Sequence, residues 1–217
     1  MLTHIKTIFF DFDGTLHDSI HVYAPAFIKG YDYLVANNYA PARTWSHHEI
    51  SYWLGYNSVD MWNSFMPKLD EDIRKIASKI VGDEISLQIR SGNGALYPKT
   101  IETLKYLTSK DYTLVFLSNC GTYYKDLVRA QFHLDLYFDE MICSEDFNQI
   151  PKHEILKQII PNYMNDMVIV GDRFQDIESG LRNDIFTIGC EYGYGTETEL
   201  NQSNYKIKEL SQLMTLL

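Results

Sequence analysis

Near-continuous apolar runs of strand length recur along the chain, at residues 8–10, 112–117, 141–143, 167–170 and 185–188. Between the later runs lie stretches with apolar positions at helical spacing, such as Ile101, Leu104 and Leu107, or Ile155 and Ile159. A strand that is apolar at every position is buried on both faces. Such strands interleaved with helices predict a parallel sheet covered on each side. The predicted fold class is therefore α/β, a doubly wound, Rossmann-like parallel sheet. Residues 19–91 break the alternation: they hold no strand-like run, show helical spacing at Ile73, Ile76 and Ile80, and contain Trp45, Trp53 and Trp62. This predicts an α-helical cap domain at 19–91 inserted into a core domain made of 1–18 and 92–217. Ser91-Gly92-Asn93-Gly94 is its expected return hinge, because paired glycines absorb large backbone rotations.

Composition narrows the function classes. With 217 residues, 45% hydrophobic and 22% charged, the chain has room for a large core plus a smaller module. Its net charge of −10 argues against a nucleic-acid polymer as partner. No segment approaches the roughly 20 apolar residues of a membrane span, and the N-terminal apolar run is short and ends in acids, unlike a signal peptide. Cys120, Cys143 and Cys190 form no CxxC pair, which predicts reduced thiols, a cytoplasmic protein and no zinc site.

The first run ends in Asp11-Phe12-Asp13-Gly14-Thr15-Leu16. Two carboxylates at the end of a buried strand need a cation or a shared proton to offset their repulsion. Strand alternation predicts that Asp11 and Asp13 share a face, with Gly14 permitting a tight turn. Ser118-Asn119 closes the run at 112–117, and Gly171-Asp172 closes that at 167–170, with Asp176 four residues on. Lys152 stands near the start of a predicted helix. In a doubly wound sheet the carboxyl ends of the strands share one edge, where ligands bind, so these residues are expected to converge. Phosphoryl transfer fits them. One carboxylate attacks phosphorus, a second moves a proton, Mg²⁺ takes carboxylate oxygens, and serine and lysine hold phosphate oxygens. Asp18-Ser19 reads as the cap of the first inserted helix, and His47-His48 and the tryptophans read as surface or packing residues of the insert.

The whole pattern resembles the haloacid dehalogenase superfamily, in particular its phosphoglycolate-phosphatase-like branch with a helical cap after the first motif. The stretch Asp11 to Leu16 resembles the first motif, Ser118 the second, Lys152 the third, and Gly171-Asp172 with Asp176 the fourth. Tyr97-Pro98 resembles the re-entry into the core, and Gly189 to Leu200 resembles the branch's later loop. The resemblance implies Asp11 as nucleophile and Asp13 as general acid/base, with Ser118, Asn119, Lys152, Gly14 and Thr15 around the phosphate. Asp11, Asp172 and Asp13, the last through its backbone carbonyl, would bind Mg²⁺, supported by Asp176. The implied reaction is hydrolysis of a small phosphorylated metabolite through an aspartyl-phosphate. A sugar-phosphate mutase, a nucleotidase and a pyrophosphatase are alternatives on the same core. The chain departs from the family pattern at Lys152-His153, where proline usually follows the lysine, at Arg173-Phe174, and at Ser179-Gly180. Neither the substrate ester nor the oligomeric state is encoded in these motifs.

Overall fold

The computed structural model describes residues 4–163 and 166–217. In chain order its elements begin with β1 (Ile5–Phe10), followed by four helices, α1 (Ile20–Ala36), α2 (His47–Ser51), α3 (Ser58–Phe65) and α4 (Glu71–Arg90). Next come α5 (Thr100–Ser109), β2 (Thr113–Ser118), α6 (Thr122–Phe132), β3 (Glu140–Cys143), α7 (Lys152–Ile159) and β4 (Asp166–Gly171). The chain closes with α8 (Phe174–Arg182), β5 (Phe186–Cys190), α9 (Glu197–Leu200), β6 (Tyr205–Ile207) and α10 (Leu213–Leu216). All strand pairs are parallel, and the six strands form one sheet in the order β3-β2-β1-β4-β5-β6. The predicted α/β fold is thus the observed one, and each apolar run lies in a strand, apart from Tyr112 and Ile185, which each precede theirs by one residue. β6 falls outside the predicted runs: of its three residues only Ile207 is buried, too little for a pattern.

Alternation along the strands explains why they read as apolar throughout. Ile8, Phe10, Leu114, Phe116, Val168 and Val170 pack into one core with Leu104 and Leu107 of α5. Their neighbours Phe9, Val115, Leu117 and Ile169 pack into the opposite core with Ile155 and Leu156 of α7.

The inserted helices have a third core of their own, built around Phe27, Tyr31, Leu34, Ile50 and Trp62. Phe27 stacks on Trp53 at 5.3 Å and meets Trp45 edge-on at 5.2 Å, so the tryptophans are packing residues, and His47 and His48 are exposed. The helical spacing of Ile73, Ile76 and Ile80 lies within α4, where Ile73 and Ile80 are half-buried and Ile76 is 45% exposed. α1 and α4 approach closely at Gly30, where a Cβ would lie 2.6 Å from Val81 Cγ2, so the face through Ala77 and Val81 turns inward. One expectation for this region needs correction. Ser19 occupies the N-cap position of α1 but makes no side-chain cap, since its backbone is already helical (φ −76, ψ −11). The Tyr194 hydroxyl takes that role, accepting from the Ile20 N–H at 2.9 Å and donating to Asp18 at 2.8 Å.

Candidate active site

β1 lies between β2 and β4, so the connections leave it in opposite directions and a crevice opens at the carboxyl edge. The backbone N–H of Asp11 continues the ladder by donating to Val170 at 2.9 Å, which fixes Asp11 beside the end of β4. Ser118 ends β2, Asp172 follows the last residue of β4, and Lys152 opens α7 with its ammonium inside this edge.

Asp11, Asp172 and Asp176 are buried and offer carboxylate oxygens within 4.8 Å of one another. Lys152 Nζ donates to Asp11 Oδ1 at 2.7 Å and to Asp176 Oδ1 at 2.6 Å. Asp176 Oδ2 accepts from the Arg173 N–H, Asp172 Oδ1 from the Thr15 hydroxyl at 3.3 Å, and Asp172 Oδ2 from the Tyr194 N–H at 2.6 Å. Asp11 Oδ2 has no partner. Burial pushes the Asp11 carboxyl well up, against the pull of Lys152 and with added repulsion from Asp176 and Asp172. Burial and Asp176 raise Asp172 to about 7. Burial alone would lower the Lys152 ammonium, but Asp11 and Asp176 together hold it above its ordinary value. Three carboxylates facing one ammonium leave an excess of two negative charges when all are ionised, and oxygen donors in that balance fit a divalent cation. The backbone leaves room for little else around Asp172. A Cβ on Gly14, whose φ is +89, would fall 2.2 Å from Asp172 Oδ2, and one on Gly193 would fall 2.3 Å from Asp172 Cβ.

Asp11 and Asp13 both line one cavity, yet their partners diverge because β1 ends at Phe10. Asp13 turns away from the lysine: Tyr124 donates to its Oδ1 at 2.6 Å, and His17 Nδ1 lies 3.1 Å from the same oxygen. The His17 ring stacks on Phe12 at 5.1 Å and is fully buried. Tyr124 is held well above the ordinary phenol range by burial and by Asp13, so it remains a donor.

The cavity holds about 450 Å³ between the strand edge and the inserted helices. Ser118, Asn119 and Cys120 line its core side, and Val22, Tyr23, Met61 and Val81 its helical side. Asn119 Nδ2 donates to the Gly55 carbonyl at 2.8 Å, tying the core to the loop between α2 and α3. Arg173, 2% exposed, fastens the same loop: its guanidinium donates to the Leu54 and Tyr52 carbonyls and to Glu199.

The edge thus gathers Asp11, Asp13, Ser118, Asn119, Lys152, Asp172 and Asp176. Gly14 and Thr15 stand behind this edge: Gly14 packs on Asp172, and the fully buried Thr15 hydroxyl donates to the same carboxylate. Like Lys152, Asp172 and Asp176, they do not line the cavity. Tyr124, His17 and Tyr194 are partners that sequence reasoning missed. Their signal was weak, since a tyrosine on α6 and a histidine inside an apolar turn have ordinary packing roles.

Comparison with known proteins agrees with this geometry. Residues 8–190 match the haloacid dehalogenase-like hydrolase family, and the chain belongs to it. It is an enzyme of the hydrolase class. It is 24% identical to the phosphoglycolate phosphatase of Haemophilus influenzae over the full length of both chains. It is 23% identical to pyrophosphatase PpaX of Bacillus pumilus, covering 98% of this chain and 96% of that one. Among solved structures, a predicted phosphatase from Clostridium acetobutylicum superposes with a TM-score of 0.84 at 20% identity, covering 98% of each chain.

Proposed function

We propose that the chain is a Mg²⁺-dependent phosphatase that hydrolyses a small phosphomonoester through an aspartyl-phosphate on Asp11. One observation carries the reading: Asp11 Oδ2 has no partner, in a carboxylate cluster whose other described oxygens are all engaged by protein groups. Asp11 Oδ2 attacks phosphorus, and the bond from phosphorus to the ester oxygen breaks. Asp13, oriented by Tyr124 and His17, gives its proton to the departing oxygen. It then takes a proton from the water that cleaves the aspartyl-phosphate. Lys152 neutralises the nucleophile between turnovers and faces the incoming phosphate, with Ser118 and Asn119 as further donors.

Asp11 and Asp172 would hold Mg²⁺ with the Asp13 carbonyl, while Asp176 positions Lys152. When bound, the ion offsets negative charge between carboxylates and phosphate. Residues 19–91 act as a cap that excludes bulk water and reads the leaving group. Three free cysteines and the absence, among the described residues, of a helix able to cross a membrane accord with a cytoplasmic enzyme. Asp11→Asn is expected to abolish phosphate release from para-nitrophenyl phosphate in Mg²⁺ while leaving the circular dichroism spectrum unchanged. Turnover by that variant refutes the assignment.

A further inference from the structure

Resting on that phosphatase reading, we propose that the cavity admits an uncharged, apolar, ring-bearing leaving alcohol. Leaving groups that carry a carboxylate or a second phosphate are disfavoured. The phosphate end of a substrate is fixed by Asp11 and Lys152, so the leaving group extends towards α1, α3 and α4. That side of the cavity offers Val22, Tyr23, Met61, Val81 and Ile85, with Ser58, Ser78 and Ser86 as its uncharged polar residues. None of the residues lining the cavity is Lys, Arg or His, whereas Asp11, Asp13 and Glu145 all face it.

Most nearby bases are already paired: Arg173 with backbone carbonyls and Glu199, Lys29 with Glu84, and Lys125 with Asp146. Arg90 meets only the neutral Tyr123 hydroxyl, at an exposed position outside the cavity lining. An anionic leaving group would therefore lose water, find no cation on the cavity wall and meet like charge there. An uncharged ring would shed water against apolar and aromatic walls, which favours it.

Gly82, an exposed residue of the cavity lining, offers a place to probe that side. It lies inside α4, where glycine is unfavourable for the helix, and it lines the cavity. A Cβ placed there meets nothing within 4 Å. The gap is open space above a helix rather than a close helix contact of the kind found at Gly30.

Two isosteric, non-hydrolysable phosphonates test the proposal on the wild-type protein without any turnover. Phenethylphosphonate imitates an uncharged ring-bearing ester, and phosphonopropionate imitates phosphoglycolate. Titration calorimetry in Mg²⁺ is expected to show the aromatic ligand binding about tenfold more tightly or better. Equal affinity, a preference for phosphonopropionate, or no measurable binding of either overturns the proposal. Failure of the phosphatase reading registers separately, as absence of phosphate release from any ester. Gly82→Lys then supplies the missing cation, and is expected to shift the affinity ratio roughly tenfold towards phosphonopropionate. An unchanged ratio overturns the placement of the leaving group over α4.

Discussion

At the scale of single residues, the two carboxylates of the first strand differ through their partners rather than their chemistry. Asp11 sits against an ammonium in a buried cluster, and Asp13 against a phenol and an imidazole. On the proposed mechanism Asp13 has to point at the leaving oxygen in one step and at water in the next, so the groups that aim it should affect the rate. Tyr124→Phe removes the 2.6 Å donor without removing the ring. The expected result is a kcat reduced about tenfold, a fraction of the full contribution of general acid–base catalysis, with KM unchanged. A raised KM with unchanged kcat would show that Tyr124 contacts substrate instead of orienting Asp13. The motif residues were legible because strand ends of apolar runs name themselves. Tyr124 and His17 were not, because a hydrogen bond between residues 13 and 124 leaves no local periodicity to read.

At the scale of elements, the sheet was read almost completely and the cap only in outline. Buried strands such as β2 and β4 are apolar at nearly every position, so their limits can be read directly. The faces of α4 depend on where α1 approaches it, and the contact at Gly30 and Val81 is a tertiary fact that Ile73, Ile76 and Ile80 do not encode. β6 is too short for any pattern. Arg173 shows the same limit. In sequence it is a departure from the family motif; in the fold it fastens the loop between α2 and α3 to α9 through Glu199. Arg173→Ala leaves the Leu54 and Tyr52 carbonyls without this donor and Glu199 Oε2 with only the Phe174 N–H. It is expected to lower stability by roughly 1–3 kcal/mol in urea unfolding, and to raise KM more than it lowers kcat. Native stability together with native KM would remove the loop-fastening role.

At the scale of the whole molecule, the carboxylates buried at the sheet edge would, on the proposed reading, link folding to a divalent cation. A Mg²⁺ ion held by the native state alone stabilises it by about 2.7 kcal/mol at a hundred times its Kd. Thermal unfolding followed by calorimetry is therefore expected to move to higher Tm with Mg²⁺, and back on adding EDTA. Asp172→Asn should erase most of that shift. A Tm indifferent to Mg²⁺ would mean that the three carboxylates hold no divalent ion.

Tyr194 gives this linkage a route. Its backbone N–H is bonded to Asp172, and its hydroxyl to Asp18 and to the first amide of α1, so a single residue spans the carboxylate cluster and the start of the inserted helices. A cation held by Asp172 would steady that residue and, through it, the first turn of α1. Hydrogen exchange at the Ile20 amide is then expected to slow when Mg²⁺ is added, and to lose this response in Tyr194→Phe. On the proposed reading, occupancy of the carboxylate cluster would then be felt at the first turn of the inserted helices.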